Sequence, residues 1–113
     1  MNRTLLLLLA CTLRLFSFGQ EADRAIRQGN KAYRKGDQRT AINAYSKAGN
    51  DRRAAFNLGN AFYREDSVRD AQRSYEAAST LAKNPVEQAR AYHNLGNTWM
   101  KQQKWQEAVN AYK

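Results

Sequence analysis

The tetrapeptide NLGN stands at 57–60 and again at 94–97, 37 residues apart, each time between aromatic residues. Widening the window aligns AAFNLGNAFYR (54–64) with AYHNLGNTWMK (91–101), and AIRQGNKAYRK (25–35) matches both more weakly. Aligned on Gly29, Gly59 and Gly96, each copy has an alanine twelve residues on (Ala41, Ala71, Ala108) and a tyrosine four beyond that (Tyr45, Tyr75, Tyr112). Ala48 and Ala78 follow three later in the first two copies. A chain that repeats such a unit stacks similar pieces side by side, each burying the face its neighbour leaves open.

The unit is helical. A single proline, Pro85, and many Ala, Gln, Arg and Lys residues favour helices, because straight side chains lose little freedom there. Helices are predicted at about 21–35, 38–48, 52–65, 67–83, 85–102 and 104–113, with turns at Gly36-Asp37, Asp66-Ser67 and Gln103-Lys104. The glycine spacing is 30 and then 37 residues. The first gap falls at Ala48-Gly49-Asn50-Asp51, where Gly49 or Asn50 can take the left-handed conformation that ends a helix. The second ends in Lys83-Asn84-Pro85, where Asn84 can cap the next helix and Pro85 suits its first turn.

The first twenty residues, MNRTLLLLLACTLRLFSFGQ, are of another kind. Arg3, the leucine run Leu5–Leu9 and small residues at Ser17 and Gly19 read as a secretory signal cut between Gly19 and Gln20, giving 1–19 signal and 20–113 domain. Arg14 interrupts the apolar run. A lipobox-like Leu8-Leu9-Ala10-Cys11 offers lipidation of Cys11 as the alternative, and a buried N-terminal helix is a third reading. The chain is expected to be exported, periplasmic or envelope-associated. Cys11 is the only cysteine, so the domain holds no disulfide or thiolate metal site. Without the leader, 17 basic face 10 acidic side chains, a net of +7 that favours acidic partners and weakens with salt.

Catalysis finds no support. His93 is the only histidine, Glu65-Asp66 reads as a turn pair, and GNKAYRKGD lacks phosphate-loop spacing. No enzyme, cofactor, metal or small-molecule substrate is expected. Aromatic and basic residues interleave, yet the rings fall on repeat core positions, so nucleic acid is not expected either.

This pattern resembles the tetratricopeptide repeat, a helix-turn-helix of 34 residues with small residues at positions 8, 20 and 27 and large ones at 4, 7, 11 and 24. Position 8 is then Gly29, Gly59, Gly96; position 20 is Ala41, Ala71, Ala108; position 24 is Tyr45, Tyr75, Tyr112. The resemblance covers 22–113 and implies an all-α solenoid of about three repeats (22–51, 52–85, 89–113), the last truncated. Trp105, Val109 and Tyr112 are then expected to be covered by further residues or to self-associate with another chain.

In that family the first helix of each repeat lines a groove through positions 2, 5, 6, 9, 12 and 13. Position 9 is Asn30, Asn60, Asn97, whose amides could hold the backbone of an extended peptide or bond within the repeats. Position 2 gives Asp23, Arg53, Arg90; position 6 gives Arg27, Asn57, Asn94; position 13 gives Arg34, Arg64, Lys101. These imply an acidic segment or free carboxylate as guest. The carboxylate clamp of co-chaperone repeats is matched at Asn30, Asn57 and Arg90 but not at Ile26 and Asn94, which argues against that reading. GNKAYRKGD, AAFNLGNAFYR and AYHNLGNTWM are also similar to tetratricopeptide proteins of the bacterial Bat aerotolerance operon. That similarity implies an envelope scaffold beside a membrane protein with a von Willebrand A domain.

Overall fold

Where each helix begins and ends follows from a few capping residues. Asp51 opens one helix by accepting the backbone N–H groups of Arg53 at 2.9 Å and Ala54 at 3.3 Å. Asn84 opens another by accepting Glu87 N–H at 2.9 Å, with Pro85 in the first turn. Asp37 accepts Thr40 N–H at 3.2 Å. In a computed structural model, which describes residues 2–113 and all of their side chains except those of Leu15 and Phe16, these caps delimit α1 (Arg3–Arg34), α2 (Gln38–Ser46), α3 (Arg52–Arg64), α4 (Val68–Leu81), α5 (Pro85–Lys101) and α6 (Trp105–Tyr112).

Among the described residues the chain is 83% helical without strands, and its helices pack in sequence-adjacent pairs, an arrangement compatible with an α-solenoid. Five of the six predicted helices agree within two residues at each end. All three turns carry a residue in the left-handed region, Gly36 (φ +80°), Asp66 (φ 62°) and Gln103 (φ 59°), and Gly49 (φ +64°) terminates the second helical hairpin arm as expected.

The first helix departs from expectation. It starts at Arg3 rather than near residue 21. The reason is local: between Ser17 and Arg24 the weakest helix former is Gly19, whose cost of roughly 1 kcal/mol does not stop a helix flanked by Gln20, Glu21 and Ala22. The apolar part of α1 is not a core element. Leu5 to Leu9, Leu13 and Phe18 are all more than half exposed, and the 18-residue window apolar enough to cross a membrane has no part buried in the fold. The reading of this segment as a buried helix is therefore set aside.

The core is built on the repeated letters. An added Cβ would lie 2.3 Å from Tyr45 Cε1 at Gly29, and 2.4 Å from the same atom of Tyr75 at Gly59 and of Tyr112 at Gly96. Glycine is thus required by ring contact in three places, not by backbone conformation. Ala41, Ala54, Ala61 and Ala71 are fully buried, so neighbouring helices approach closely, and Tyr45 fills the space left among the first three. Tyr75 packs with Ala71 and Leu95, and Phe56 meets its ring edge-on at a centroid distance of 5.8 Å.

Candidate functional site: a row of asparagines

The tyrosine that fills the gap beside each glycine ends at the following asparagine. Tyr45 donates its hydroxyl to Asn30 Oδ1 at 2.7 Å, Tyr75 to Asn60 Oδ1 at 2.6 Å, and Tyr112 to Asn97 Oδ1 at 2.6 Å. A ring driven in by packing carries a hydroxyl that needs a partner when buried, and the asparagine next to the glycine supplies it. Burial raises the phenol pKa of Tyr45 and, more strongly, that of Tyr75, so both hydroxyls remain protonated donors.

The first asparagine of NLGN has its own place. Asn57 Nδ2 approaches Asn30 Oδ1 at 3.4 Å, and Asn94 Nδ2 approaches Asn60 Oδ1 at 3.5 Å, long hydrogen bonds that reach back one copy. Each of Asn30 and Asn60 therefore accepts twice through one oxygen. An amide whose oxygen is engaged in this way has only its two N–H donors left to offer.

These amides share a face with hollows. One, of about 430 Å³, is lined by Asn30, Arg53, Phe56, Asn57 and Arg90 among others. Beside it, Asn30, Tyr33, Arg34, Asn57 and Asn60 surround about 200 Å³, and Tyr33, Asn60, Arg64, Asn94 and Asn97 surround about 180 Å³. A fourth, more open, includes Phe56, Arg90, His93 and Asn94. Nine of the eleven asparagine and basic residues at these positions line at least one of these; Arg27 and Lys101 line none of the four.

The basic residues are not all free to meet a guest. Arg53 bridges Asp23 at 2.7 Å and Asp51 at 2.9 Å, which holds its guanidinium firmly protonated. Lys101 contacts Asp66 at 3.0 Å and lies 4.4 Å from the Tyr63 ring centroid. Arg64 stacks 4.3 Å over Tyr33, and Arg90 sits 5.4 Å from the centre of Phe56. The arrangement recurs: a cation of one first helix covers a ring of the preceding one. Such stacking leaves the guanidinium edge of Arg64 available while fixing its plane.

The tyrosine hydroxyls are the partners that sequence reasoning missed. The signal was present, since Asn and Tyr stand 15 residues apart in all three copies. The platform role of Tyr33 and Tyr63 gave no comparable signal, because it depends on how successive helices are rotated. No group of three or more His, Cys, Asp or Glu side chains suited to a metal occurs among the described residues. No protein-family model matches the chain, and no curated protein matches it significantly.

Proposed function

We propose that this chain is a non-enzymatic adapter of tetratricopeptide-repeat type, about three repeats long, that holds an extended segment of a partner protein along the asparagine row. The observation that carries this reading is the commitment of each Oδ1 to a tyrosine hydroxyl. It leaves the amides of Asn30, Asn60 and Asn97 as N–H donors beside the hollows. A surface of that kind selects acceptors, meaning the carbonyl oxygens of an extended backbone or a carboxylate.

Arg34, Arg64 and Arg90 border the same hollows and favour an acidic segment. The apolar start of α1 and the similarity to Bat-operon proteins support a place in the bacterial envelope. A membrane protein with a von Willebrand A domain is the partner that similarity suggests. The reading is tested on an array of extended peptides of acidic, neutral and basic composition. Retention should favour acidic peptides, fall with added salt and fall again in Arg34→Ala/Arg64→Ala. Equal retention of basic peptides would remove it.

A further inference from the structure

The cations outside the asparagine row are not evenly spread. Where α4 meets the turn between α5 and α6, Arg69, Gln72, Arg73, Gln102 and Lys104 line an open hollow of about 600 Å³. It shares no residue with the hollows described above and lies between the second and third copies, inside the stack. Its two amides are fixed by hydrogen bonds. Gln102 Nε2 donates to Gln72 Oε1 at 3.0 Å and to the Thr98 carbonyl at 3.1 Å. Gln72 Nε2 donates to Glu76 Oε1 at 3.0 Å, which leaves Gln72 one N–H to offer.

Three cations border this hollow, and none of its lining residues is a carboxylate. Arg73 is paired with Asp70, whereas Arg69 and Lys104 have no acidic partner among the described residues. Repetition does not require these charges. One copy earlier the same five positions are Arg39, Ile42, Asn43, Glu65 and Ser67, with one cation and one carboxylate. Helix stability does not require them either. Arg69 is the second residue of α4 and Lys104 stands where α6 begins, and at both ends the helix dipole disfavours a positive charge. The side chains of Ser67 and Lys104 leave the first N–H groups of these two helices uncapped.

We infer that this hollow binds a small, multiply charged oxyanion, with Arg69 and Lys104 as its principal contacts and Arg73 as a third charge. Guanidinium forks meet phosphate or carboxylate oxygens in pairs, and the ammonium adds a compact point charge. The hollow is of the size that small-molecule sites have. Its lining contains no ring and no aliphatic residue, so a ligand with an aromatic part, such as a nucleotide base, finds nothing to stack on. The fitting class is a diphosphate or a tricarboxylate, whose shared chemistry is several negative charges on compact oxygen groups. This site is separate from the asparagine row and does not depend on it.

The test is calorimetric titration of the full chain in mild detergent with pyrophosphate and, separately, with citrate, at an ionic strength held constant with sodium chloride. Saturable one-to-one binding of at least one of them is expected, and the tighter of the two shows whether phosphate or carboxylate is the preferred group. Arg69→Gln and Lys104→Gln should each weaken it about ten-fold or more, the worth of a charge-assisted hydrogen bond, with helix content unchanged. Arg34→Ala/Arg64→Ala, beside the asparagine row, should leave the affinity as it is. Binding of neither anion, or equal affinity in Arg69→Gln and Lys104→Gln, would overturn the inference. So would binding lost in Arg34→Ala/Arg64→Ala, which would place the anion at the asparagine row.

Discussion

Tyr75 touches two consecutive residues of α3 in different ways: its ring lies where a side chain on Gly59 would have to be, and its hydroxyl donates to Asn60 Oδ1 at 2.6 Å. The dipeptide Gly-Asn is thus one device, a space for a ring followed by an acceptor for its hydroxyl. With an added Cβ 2.4 Å from the Tyr75 ring, Gly59→Ala falls at the upper end of overpacking costs, about 3 kcal/mol, which leaves a net loss of about 2 kcal/mol after the roughly 1 kcal/mol of helix propensity it gains. Tyr75→Phe should cost about 1 kcal/mol, the usual worth of a hydrogen bond. Urea unfolding of both variants checks the order, Gly59→Ala being the more damaging.

Gln103 closes the third hairpin with φ at 59°, where the first hairpin uses Gly36. A side chain in that region carries strain of roughly 1 kcal/mol that glycine escapes. Gln103→Gly should therefore stabilise the chain by up to about 1 kcal/mol, less the greater freedom glycine has when unfolded. A thermal melt that moves downward would contradict this.

Stability should fall at both ends of the pH scale. Burial pushes the Asp51 carboxyl up, but the side-chain and backbone donors of Arg53 outweigh it and hold it below the usual 3.8. Glu87 lies below its usual 4.5 because it accepts the backbone N–H of Lys83 and meets Arg52. Both folded values lie below the unfolded ones, so their contribution is complete above about pH 5 and is lost as pH falls through the carboxylate range. Burial raises Tyr45 and Tyr75 above 10.0, so their contribution is present below that pH and is lost as pH rises through the raised values. Melting temperatures measured across pH should show a plateau between these limits, and Asp51→Asn should soften the acid edge.

Removing residues 1–19 should leave the remaining fold intact, because the exposed leucines of α1 bury nothing against it. Urea unfolding of chain 20–113 should agree with that of the full chain within about 0.5 kcal/mol, as for changes away from packed features. A loss of several kcal/mol would show that the segment supports the helical stack.

The helical hairpins were legible because their signals are local. Gly36, Asp66-Ser67 and the Asn84-Pro85 pair mark boundaries by backbone preference and local capping, and the constant glycine-to-tyrosine interval marks which surfaces meet. The start of α1 is not legible, because an export signal and a helix share one composition, and nothing between Ser17 and Arg24 separates the two. The asparagines are legible as a row, and bonding within the repeats is one of the two roles their amides allow; that a tyrosine hydroxyl of the same copy takes each oxygen depends on how the two helices meet. Of the two carboxylates that neutralise Arg53, Asp51 is a local neighbour, whereas Asp23 stands 30 residues away, at the same position of the preceding copy, and gives no local signal.

Asparagine-to-alanine changes would confuse the two roles of the row, since they remove the acceptor for tyrosine together with the donors. Asn60→Asp with Asn97→Asp separates them, keeping Oδ1 for Tyr75 and Tyr112 while deleting the Nδ2 donors. The most direct measurement is crosslinking in intact cells of the full-length protein and this double variant, with helix content of both recorded alongside. The account predicts equal helix content and a membrane protein captured only by the unmodified chain. Equal capture by both forms would contradict it and leave the asparagines with tyrosine as their only partner.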